Sequence, residues 1–261
     1  MNKSLNIAIV VAVSDSDILN SNSLRSPIFS QINVPHHSVI GAKSAAEAYN
    51  QGLAYFADKD IIVFAHQDVY LPLNWYQHLS EALDVLSEQQ TDWGVLGVFG
   101  KTSRGDNAGR VWDSGLNAEL GEAFTTPTEV ETLDELLLIV KPQDAPAFDK
   151  NLVGFHLFAS DYCATMRSLG KHSYAIHAPV IHNSKRTQSL GGDYALAYSY
   201  LQKKWCHELP LHAVCGAITK WGIQYKRIRF GLAYRRVLKL LPNQTAGSQN
   251  PVKLAQQLGY E

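Results

Sequence analysis

One apolar run limits what this chain can fold into more than any other stretch of the sequence. Residues 61–65 are all apolar and rich in β-branched side chains, which predicts a strand buried on both faces of a parallel sheet. His66, Gln67 and Asp68 follow at once. Because ligands of open α/β sheets lie beyond the carboxyl ends of the strands, His66 and Asp68 are placed where a ligand would bind. The alternative is that Asp68 caps a turn and His66 is a solvated strand end.

The residues before this run predict how the sheet begins. Residues 5–13 form an apolar strand that ends at Ser14-Asp15-Ser16-Asp17. Residues 38–41 predict a short strand, and the spacing of Ser44 and Glu47 is that of a capping box that opens a helix. The order strand, strand, helix, strand predicts parallel pairing with a right-handed crossover.

Further periodic segments continue the α/β pattern toward the C-terminus. Helices are predicted over residues 72–86, over 156–169 and from Asp193 to about 206. Strands are predicted over residues 93–99, 136–140, 173–176 and 179–181. The polar residues 101–128 predict loops and a hairpin around Arg110-Val111-Trp112, a segment long enough to cover an active site. Within it, Trp112 is the better candidate for stacking on an acceptor, with core packing as the alternative.

Composition narrows the class of protein. The 261 residues carry a formal net charge of −1 and three cysteines without a CxxC spacing, which indicates reduced thiols and a cytoplasmic protein. The apolar N-terminal residues are too short for a signal peptide and precede a polar segment, so they are interpreted as a strand. Walker A, GxGxxG, HExxH and GxSxG motifs do not occur. Their absence argues against P-loop enzymes, dinucleotide oxidoreductases, zincins and α/β-hydrolases.

Charge is distributed unevenly along the chain. No acidic residue occurs between Leu209 and Tyr260, although eight lysines and arginines do. We therefore predict a main domain over residues 1–208 and a basic, largely helical extension over 209–261 that meets something anionic. Residues 220–241 mix aromatic, aliphatic and basic side chains. As a helix, this segment either lies on the inner face of a membrane or packs on the domain or on a second subunit.

Polar residues at strand ends suggest a cation site. A divalent cation such as Mg²⁺ or Mn²⁺ prefers carboxylate oxygens, and imidazole suits manganese and other transition ions. Asp68 and His182 can supply two ligands, with water and substrate phosphate completing the coordination. The polar residues found at strand ends or near the start of a helix are Asp15, Asp17, His66, Asp68, Asp134, Asp161 and His182. For Asp134, an ordinary loop carboxylate is the alternative.

Several segments, taken in order, resemble a known family. They are Ser44-Ala45-Ala46-Glu47-Ala48-Tyr49-Asn50-Gln51-Gly52, Val63-Phe64-Ala65-His66-Gln67-Asp68-Val69-Tyr70-Leu71, Leu133-Asp134-Glu135-Leu136, Phe148-Asp149, Gly154-Phe155-His156-Leu157-Phe158-Ala159-Ser160-Asp161-Tyr162-Cys163 and Val180-Ile181-His182-Asn183-Ser184. Over residues 5–185 the chain resembles the GT-A glycosyltransferases of family 2, in particular the branch similar to the streptomycin-biosynthesis StrF protein. The resemblance implies a GT-A fold: a mostly parallel sheet flanked by helices, here with a helical C-terminal extension.

The resemblance also implies an activity: inverting transfer of a sugar from a nucleotide-sugar donor to a hydroxyl of a glycan or lipid-linked glycan. His66-Gln67-Asp68 matches the metal-binding Asp-x-Asp with its first Asp replaced, and His182 matches the late metal-ligand histidine. Asp161 matches the catalytic base, although Ser160 stands where a Glu is usual. Donor contacts are implied for Asp15, Asp17, Asn50 and Asp134.

Two other functions remain open from the sequence. One is a non-catalytic module that binds a nucleotide-sugar or glycan on the same fold, which the altered Asp-x-Asp favours. The other is a nucleotidyltransferase, although the Gly-rich, Lys-bearing signature expected near its first strand is not visible. The resemblance places the enzyme in polysaccharide biosynthesis and implies no nucleic-acid partner.

Overall fold

Two mixed β-sheets organise the computed structural model, which describes residues 5–243 and 245–261. The strands are β1 (Ile7–Val13), β2 (His36–Ile40), β3 (Ile61–His66), β4 (Val69–Tyr70), β5 (Trp93–Gly97), β6 (Phe99–Lys101), β7 (Asn107–Asp113), β8 (Ala118–Gly121), β9 (Thr128–Val130), β10 (Thr132–Leu133), β11 (Leu137–Val140), β12 (His172–Ala175) and β13 (Val180–His182). The helices are α1 (Ser16–Ser21), α2 (Ile28–Gln31), α3 (Ala45–Tyr55), α4 (Trp75–Glu88), α5 (Phe158–Ser168), α6 (Asp193–Lys204), α7 (Ile223–Val237) and α8 (Pro251–Leu258). A 3₁₀ turn covers Ser23–Arg25.

The larger sheet has the strand order β2-β1-β3-β11-β5-β12-β9. As predicted, β1 pairs in parallel with both β2 and β3. At the centre, β11 runs antiparallel to both β3 and β5. The sheet is therefore mixed, while most of its strands share one direction, as the GT-A expectation requires. The smaller sheet has the order β10-β6-β7-β13-β4, with β8 paired to β7.

Helices cover both faces of the larger sheet. On one face α3, α5 and α6 contribute Tyr49, Tyr162 and Tyr198 to a core shared with Phe64 of β3. On the other face Trp75 and Leu79 of α4 pack with alternate residues of the same strands. Since neighbouring side chains of a strand point to opposite faces, a strand covered on both sides is apolar throughout. This burial explains why residues 61–65 contain no polar side chain.

The start of α3 confirms the predicted capping box in a slightly altered form. The Ser44 hydroxyl accepts a hydrogen bond from the Glu47 N–H at 3.1 Å. The Glu47 carboxylate accepts one from the N–H of Lys43, one residue earlier than in the standard motif, at 2.7 Å.

Several sequence-based element boundaries were wrong. The predicted strand 93–99 is broken at Val98, where the chain passes from β5 in the larger sheet to β6 in the smaller one. The helix predicted from Asp193 to about 206 begins at Asp193, with Gly192 as its N-cap at a positive φ, but it ends at Lys204. The predicted helix over 156–169 is shorter at both ends, since α5 spans Phe158–Ser168 and Leu169 is its exposed C-cap. Helices α1 and α2 were not predicted, because each is only about a turn long and has little periodicity.

The C-terminal residues pack on the rest of the chain. Tyr225 of α7 stacks on Tyr198 of α6 with ring centroids 4.3 Å apart. Ala255 of α8 and Tyr260 form a small core with Tyr70 and Ile181. The division at residue 208 stays a prediction, but residues 209–261 do not stand apart from the body. None of the helices in the described ranges combines the length and apolar character needed to cross a membrane.

Two helical glycines provide a matched test of this packing. A Cβ on Gly52 would lie 2.6 Å from both methyls of Val10 in β1, whereas one on Gly231 would meet nothing within 4 Å. We expect Gly52→Ala to lower the free energy of unfolding by about 1–3 kcal/mol, because Val10 is buried in a central strand. Gly231→Ala should raise it by up to about 1 kcal/mol. Chemical denaturation measures both; equal effects of the two substitutions would contradict the close packing of α3 on β1.

Candidate active site

Strand pairing brings the two halves of the site together. The short strand β4, directly after Asp68, pairs antiparallel with β13, so that Val69 lies opposite His182. The backbone N–H of Asn183 donates to the carbonyl of Asp68 at 2.8 Å. His66 ends β3 two residues earlier. Residues more than a hundred positions apart in sequence are thereby placed side by side.

His66, Asp68 and His182 converge on one point. One potential ligand atom from each residue lies within 4.8 Å of the other two. The His182 Nε2 is 3.6 Å from Asp68 Oδ1, and the two imidazole rings lie 5.8 Å apart. Of the residues that the structure describes, these three form the group of His, Cys, Asp and Glu side chains able to hold a metal ion.

The state of His66 fits a cation site. Its Nε2 atom is buried and has no hydrogen-bond partner among the described residues, which is unusual because buried polar atoms are nearly always paired. Burial lowers the pKa of His66 and outweighs the opposing charge of Asp68. The ring is therefore neutral at pH 7, and a neutral imidazole is the form that binds metals. The two imidazoles and one carboxylate suit a divalent transition ion.

Asp113 orients His182 and was not found by sequence reasoning. Its Oδ2 lies 3.1 Å from His182 Nδ1, so Nε2 is the ring nitrogen turned toward Asp68. Asp113 is itself held by the N–H of Leu116 at 2.8 Å and by the Ser184 hydroxyl at 3.2 Å. Such a carboxylate behind a histidine fixes the ring of a metal ligand. The available signal was its position directly after the predicted hairpin strand at Trp112.

Carboxylates surround His182. Burial alone lowers the pKa of this histidine, but the charges of Asp68, Asp113 and Asp134 raise it to about 9. Although burial raises the pKa of Asp113, its hydrogen bond with His182 holds that pKa below the ordinary value. At pH 7 His182 is thus protonated, and a cation that binds its Nε2 must displace a proton.

Asp134 and Glu135 lie beside the cluster. Burial raises the pKa of Asp134 to about 6, and its Oδ1 accepts from the N–H of Leu136 at 3.1 Å. Glu135 accepts a hydrogen bond from the N–H of Leu157, the residue before α5, and its Oε2 lies 3.9 Å from His156 Nδ1. A pKa near neutrality is what general-base work at pH 7 favours.

Asp161 lies in the first turn of α5, apart from the cluster. Only 3% of the residue is exposed. Its Oδ1 accepts from the Trp205 indole at 2.8 Å, and the Lys204 ammonium lies 2.8 Å from Oδ1 and 2.9 Å from Oδ2. Burial raises the pKa of Asp161, and Lys204 offsets part of that rise. The helix begins near the cluster, since the ring of Phe158 lies 6.3 Å from that of His66.

The remaining predicted contacts have local partners. Asp15 caps α1, and its Oδ1 accepts from the N–H groups of Asp17 and Ile18. Asn50 both donates to the carbonyl and accepts from the N–H of Phe148, at 2.9 and 2.8 Å. Asp17 is exposed in the first turn of α1, four residues after the end of β1. The structure therefore brings His66, Asp68, His182 and Asp134 together, whereas it leaves Asn50 and Asp161 outside the cluster.

Gln67, the middle residue of the tripeptide, holds two strand ends together. Its Oε1 accepts from the N–H groups of Ser14 and Asp15 at 2.9 and 3.0 Å. Its Nε2 donates to the Ser14 hydroxyl at 3.0 Å. The end of β1 is thereby fixed against the end of β3. Sequence reasoning gave Gln67 no function, because nothing in the sequence shows which side chain faces the neighbouring strand.

Comparison with known families decides the class. A family model described as "Glycosyltransferase like family" matches residues 8–208. The chain belongs to this family. Assignment of this glycosyltransferase to the StrF-type branch stays a prediction.

Individual relatives of this glycosyltransferase are distant. It is 28% identical over 171 residues to "ATP synthase subunits region ORF 6" of Fuscovulum blasticum, a match that covers 63% of this chain and 68% of that one. A structure of GalNAc-T7 with UDP, GalNAc and Mn²⁺ aligns with 93% of this chain and 59% of that chain, at 12% identity and a TM-score of 0.51. S. aureus TarS residues 1–349 align with 77% of this chain and 65% of that one, at 13% identity and a TM-score of 0.42. The GalNAc-T7 likeness supports the GT-A fold.

The raised pKa of His182 predicts a pH dependence of stability. Because the folded pKa of about 9 lies above the ordinary value of 6.5, protonation of His182 stabilises the metal-free fold fully below about pH 6.5. That contribution is lost as the pH rises through about 9. We expect the melting temperature of chelator-treated protein to fall across this window. His182→Gln should flatten the fall, whereas His207→Gln, which alters an exposed histidine, should leave it unchanged. A wild-type curve that is flat from pH 6.5 to 9 would contradict the assignment.

Proposed function

We propose that this glycosyltransferase moves a sugar from a nucleotide-sugar donor to a hydroxyl acceptor with inversion, using a divalent cation held by His66, Asp68 and His182. The observation that carries the proposal is the convergence of these three side chains, with an unpartnered His66 nitrogen, at the strand ends of a family-matched domain. The GalNAc-T7 structure with UDP, GalNAc and Mn²⁺ supports the choice of donor class and cation.

His66, Asp68 and His182 would hold the cation, Asp113 orients His182, and Gln67 joins the end of β3 to the end of β1. A bound divalent ion would supply Lewis-acid stabilisation of the negative charge that develops on a leaving nucleoside diphosphate. Asp68 contributes the carboxylate, and the two imidazoles contribute nitrogen donors. We propose that Asp15 and Asp17, at the start of α1, meet the nucleoside, because Gln67 fixes the preceding end of β1 against the end of β3.

Asp134 and Asn50 are the other two proposed donor contacts, and the structure supports Asp134 better than Asn50. The charge of His182 lowers the pKa of Asp134 and so opposes the effect of burial. This interaction supports a position for Asp134 near the diphosphate of the donor. Asn50 already uses both polar groups on Phe148. Its contact with the donor stays a prediction that would require these hydrogen bonds to break.

Asp161 is our proposed general base. An acceptor hydroxyl must lose its proton as it attacks the anomeric carbon, and a carboxylate with a raised pKa is suited to receive it. Burial raises the pKa of Asp161, while Lys204 and Trp205 fix its orientation. Asp134 is the competing carboxylate because it lies nearer the cluster. A single displacement of this kind inverts the anomeric configuration.

The cation assignment predicts the effect of one substitution. Asp68→Asn should abolish manganese-dependent binding of a nucleoside diphosphate, since it removes the only carboxylate of the cluster. The measurements are electron paramagnetic resonance of free Mn²⁺ and a thermal-shift titration with the nucleotide. Asp113→Asn should weaken Mn²⁺ binding by about 10- to 100-fold, the usual effect of a residue that orients a metal ligand.

Asp84→Asn is the control, because Asp84 is an exposed aspartate on α4. It should bind Mn²⁺ and nucleotide as the wild type does. Undiminished metal-dependent nucleotide binding in Asp68→Asn would refute the proposed cation site.

The base assignment is tested by comparing three aspartates. Asp161→Asn should lower turnover by roughly 10²-fold or more while donor binding is kept. Asp149→Asn is the matched control, because Asp149 is the other carboxylate on Lys204, at 2.7 Å, and should leave turnover within about tenfold. Asp134→Asn tests the competitor. A large loss of turnover in Asp134→Asn, with near-normal turnover in Asp161→Asn, would assign the general-base role to Asp134.

Donor binding without transfer or hydrolysis in the wild type would favour the binding-module alternative.

A further inference from the structure

Helix α7 has two apolar faces, and only one of them is covered. The inner face packs on the body: Tyr225 stacks on Tyr198 and donates to the carbonyl of Leu190 at 2.8 Å, while Ile228 and Leu232 pack against the main core. This contact confirms the packing alternative for one side of the segment. It also fixes which residues face outward.

The outer face carries a stripe of large apolar side chains. Ile223, Phe230, Tyr234 and Val237 follow a spacing of seven, four and three residues, which places them on one side of a helix, opposite Leu232. Their exposed fractions are 56%, 75%, 59% and 80%. Single exposed apolar residues are common, but an aligned stripe marks an interaction surface. The stripe continues into Leu238 and Leu240, which are also exposed.

Every charged side chain of α7 itself is basic. Helical spacing places the exposed Lys226 and Arg227 directly beside the stripe, one on each side, and the exposed Arg229, Arg235 and Arg236 further round the helix. No Asp or Glu occurs from Leu209 to Tyr260. A second copy of the chain would bring these like charges together. Nucleic acid would satisfy the basic groups but leave the apolar stripe in water. The surface that satisfies both is a layer of anionic headgroups over acyl chains.

We propose that the outer face of α7 binds the surface of an anionic membrane. Phe230, Tyr234 and Val237 enter the headgroup boundary, and Lys226 and Arg227 on either side of them contact anionic headgroups. The helix lies along the surface with its inner face still packed on α6. Binding of this kind is peripheral and requires no change in the fold.

This orientation would place a cavity of the enzyme close to the lipid. A cavity of about 270 Å³ is lined on one side by Gln224 and Ile228 of α7 and on another by His212 and Cys215. A lipid-borne acceptor fits this arrangement. That extension rests on the proposed glycosyltransferase function, whereas the proposal of membrane binding is independent of it.

Vesicle sedimentation of the full chain tests the proposal. We expect binding to vesicles of phosphatidylcholine mixed with phosphatidylglycerol, little binding to phosphatidylcholine alone, and release at high salt. Phe230→Ser combined with Val237→Ser should weaken binding by at least about tenfold, because two apolar side chains no longer enter the lipid. Lys226→Gln combined with Arg227→Gln should weaken it by about fivefold per charge removed.

Ile40→Ser is the control, since Ile40 is 73% exposed on the edge strand β2. It should bind vesicles as the wild type does. All variants change exposed side chains, so their melting temperatures should match that of the wild type.

Absence of vesicle binding by the full chain, or equal binding by the Phe230/Val237 variant and the wild type, would overturn the proposal. So would a dimer in solution that the Phe230/Val237 variant dissociates. If the protein hydrolyses the donor but does not bind vesicles, the proposal of membrane binding is refuted and the proposed enzymatic activity is not affected.

Discussion

The antiparallel pairing of β4 with β13 is the contact on which the site depends. It involves only two residues from each strand, Val69 and Tyr70 against Ile181 and His182. It nevertheless fixes the distance between Asp68 and His182 and connects the end of the larger sheet to the smaller one. Strands this short gain little from their own hydrogen bonds, so they persist only when tertiary packing holds them. Tyr260 and Ala255 supply that packing by covering Tyr70 and Ile181.

The positive charge of His182 explains how several carboxylates can lie close together in the site. Asp68, Asp113 and Asp134 would repel one another if the site held no positive charge. The protonated imidazole provides that charge in the metal-free protein, and a divalent cation would take its place on binding. Gain of a cation and loss of a proton are therefore coupled at one residue. The buried Nε2 of His66 has no hydrogen-bond partner among the described residues, so a cation at the cluster would give it one.

Local sequence signals predicted the parts of the fold that depend on local physics. The apolar run of β3, the capping box of α3 and the hairpin around Trp112 were all recoverable, because periodicity and side-chain chemistry act within a few residues. The antiparallel insertion of β11 between β3 and β5 was not, since strand direction is set by tertiary connections. Within the site, His66, Asp68 and His182 followed from strand ends and the family resemblance. Asp113 and Gln67 were missed because their importance comes from partners far away in the sequence. Lys204, the partner of Asp161, is likewise 43 residues away along the chain.

Two imidazoles and one carboxylate also determine which metals compete for the cluster. Nitrogen donors follow the Irving–Williams order, in which nickel and copper bind more strongly than manganese. If the cluster binds a metal as we propose, protein purified on immobilised nickel is expected to carry nickel in place of manganese. Chelator treatment followed by reloading with a single metal is the condition under which its true metal preference becomes measurable.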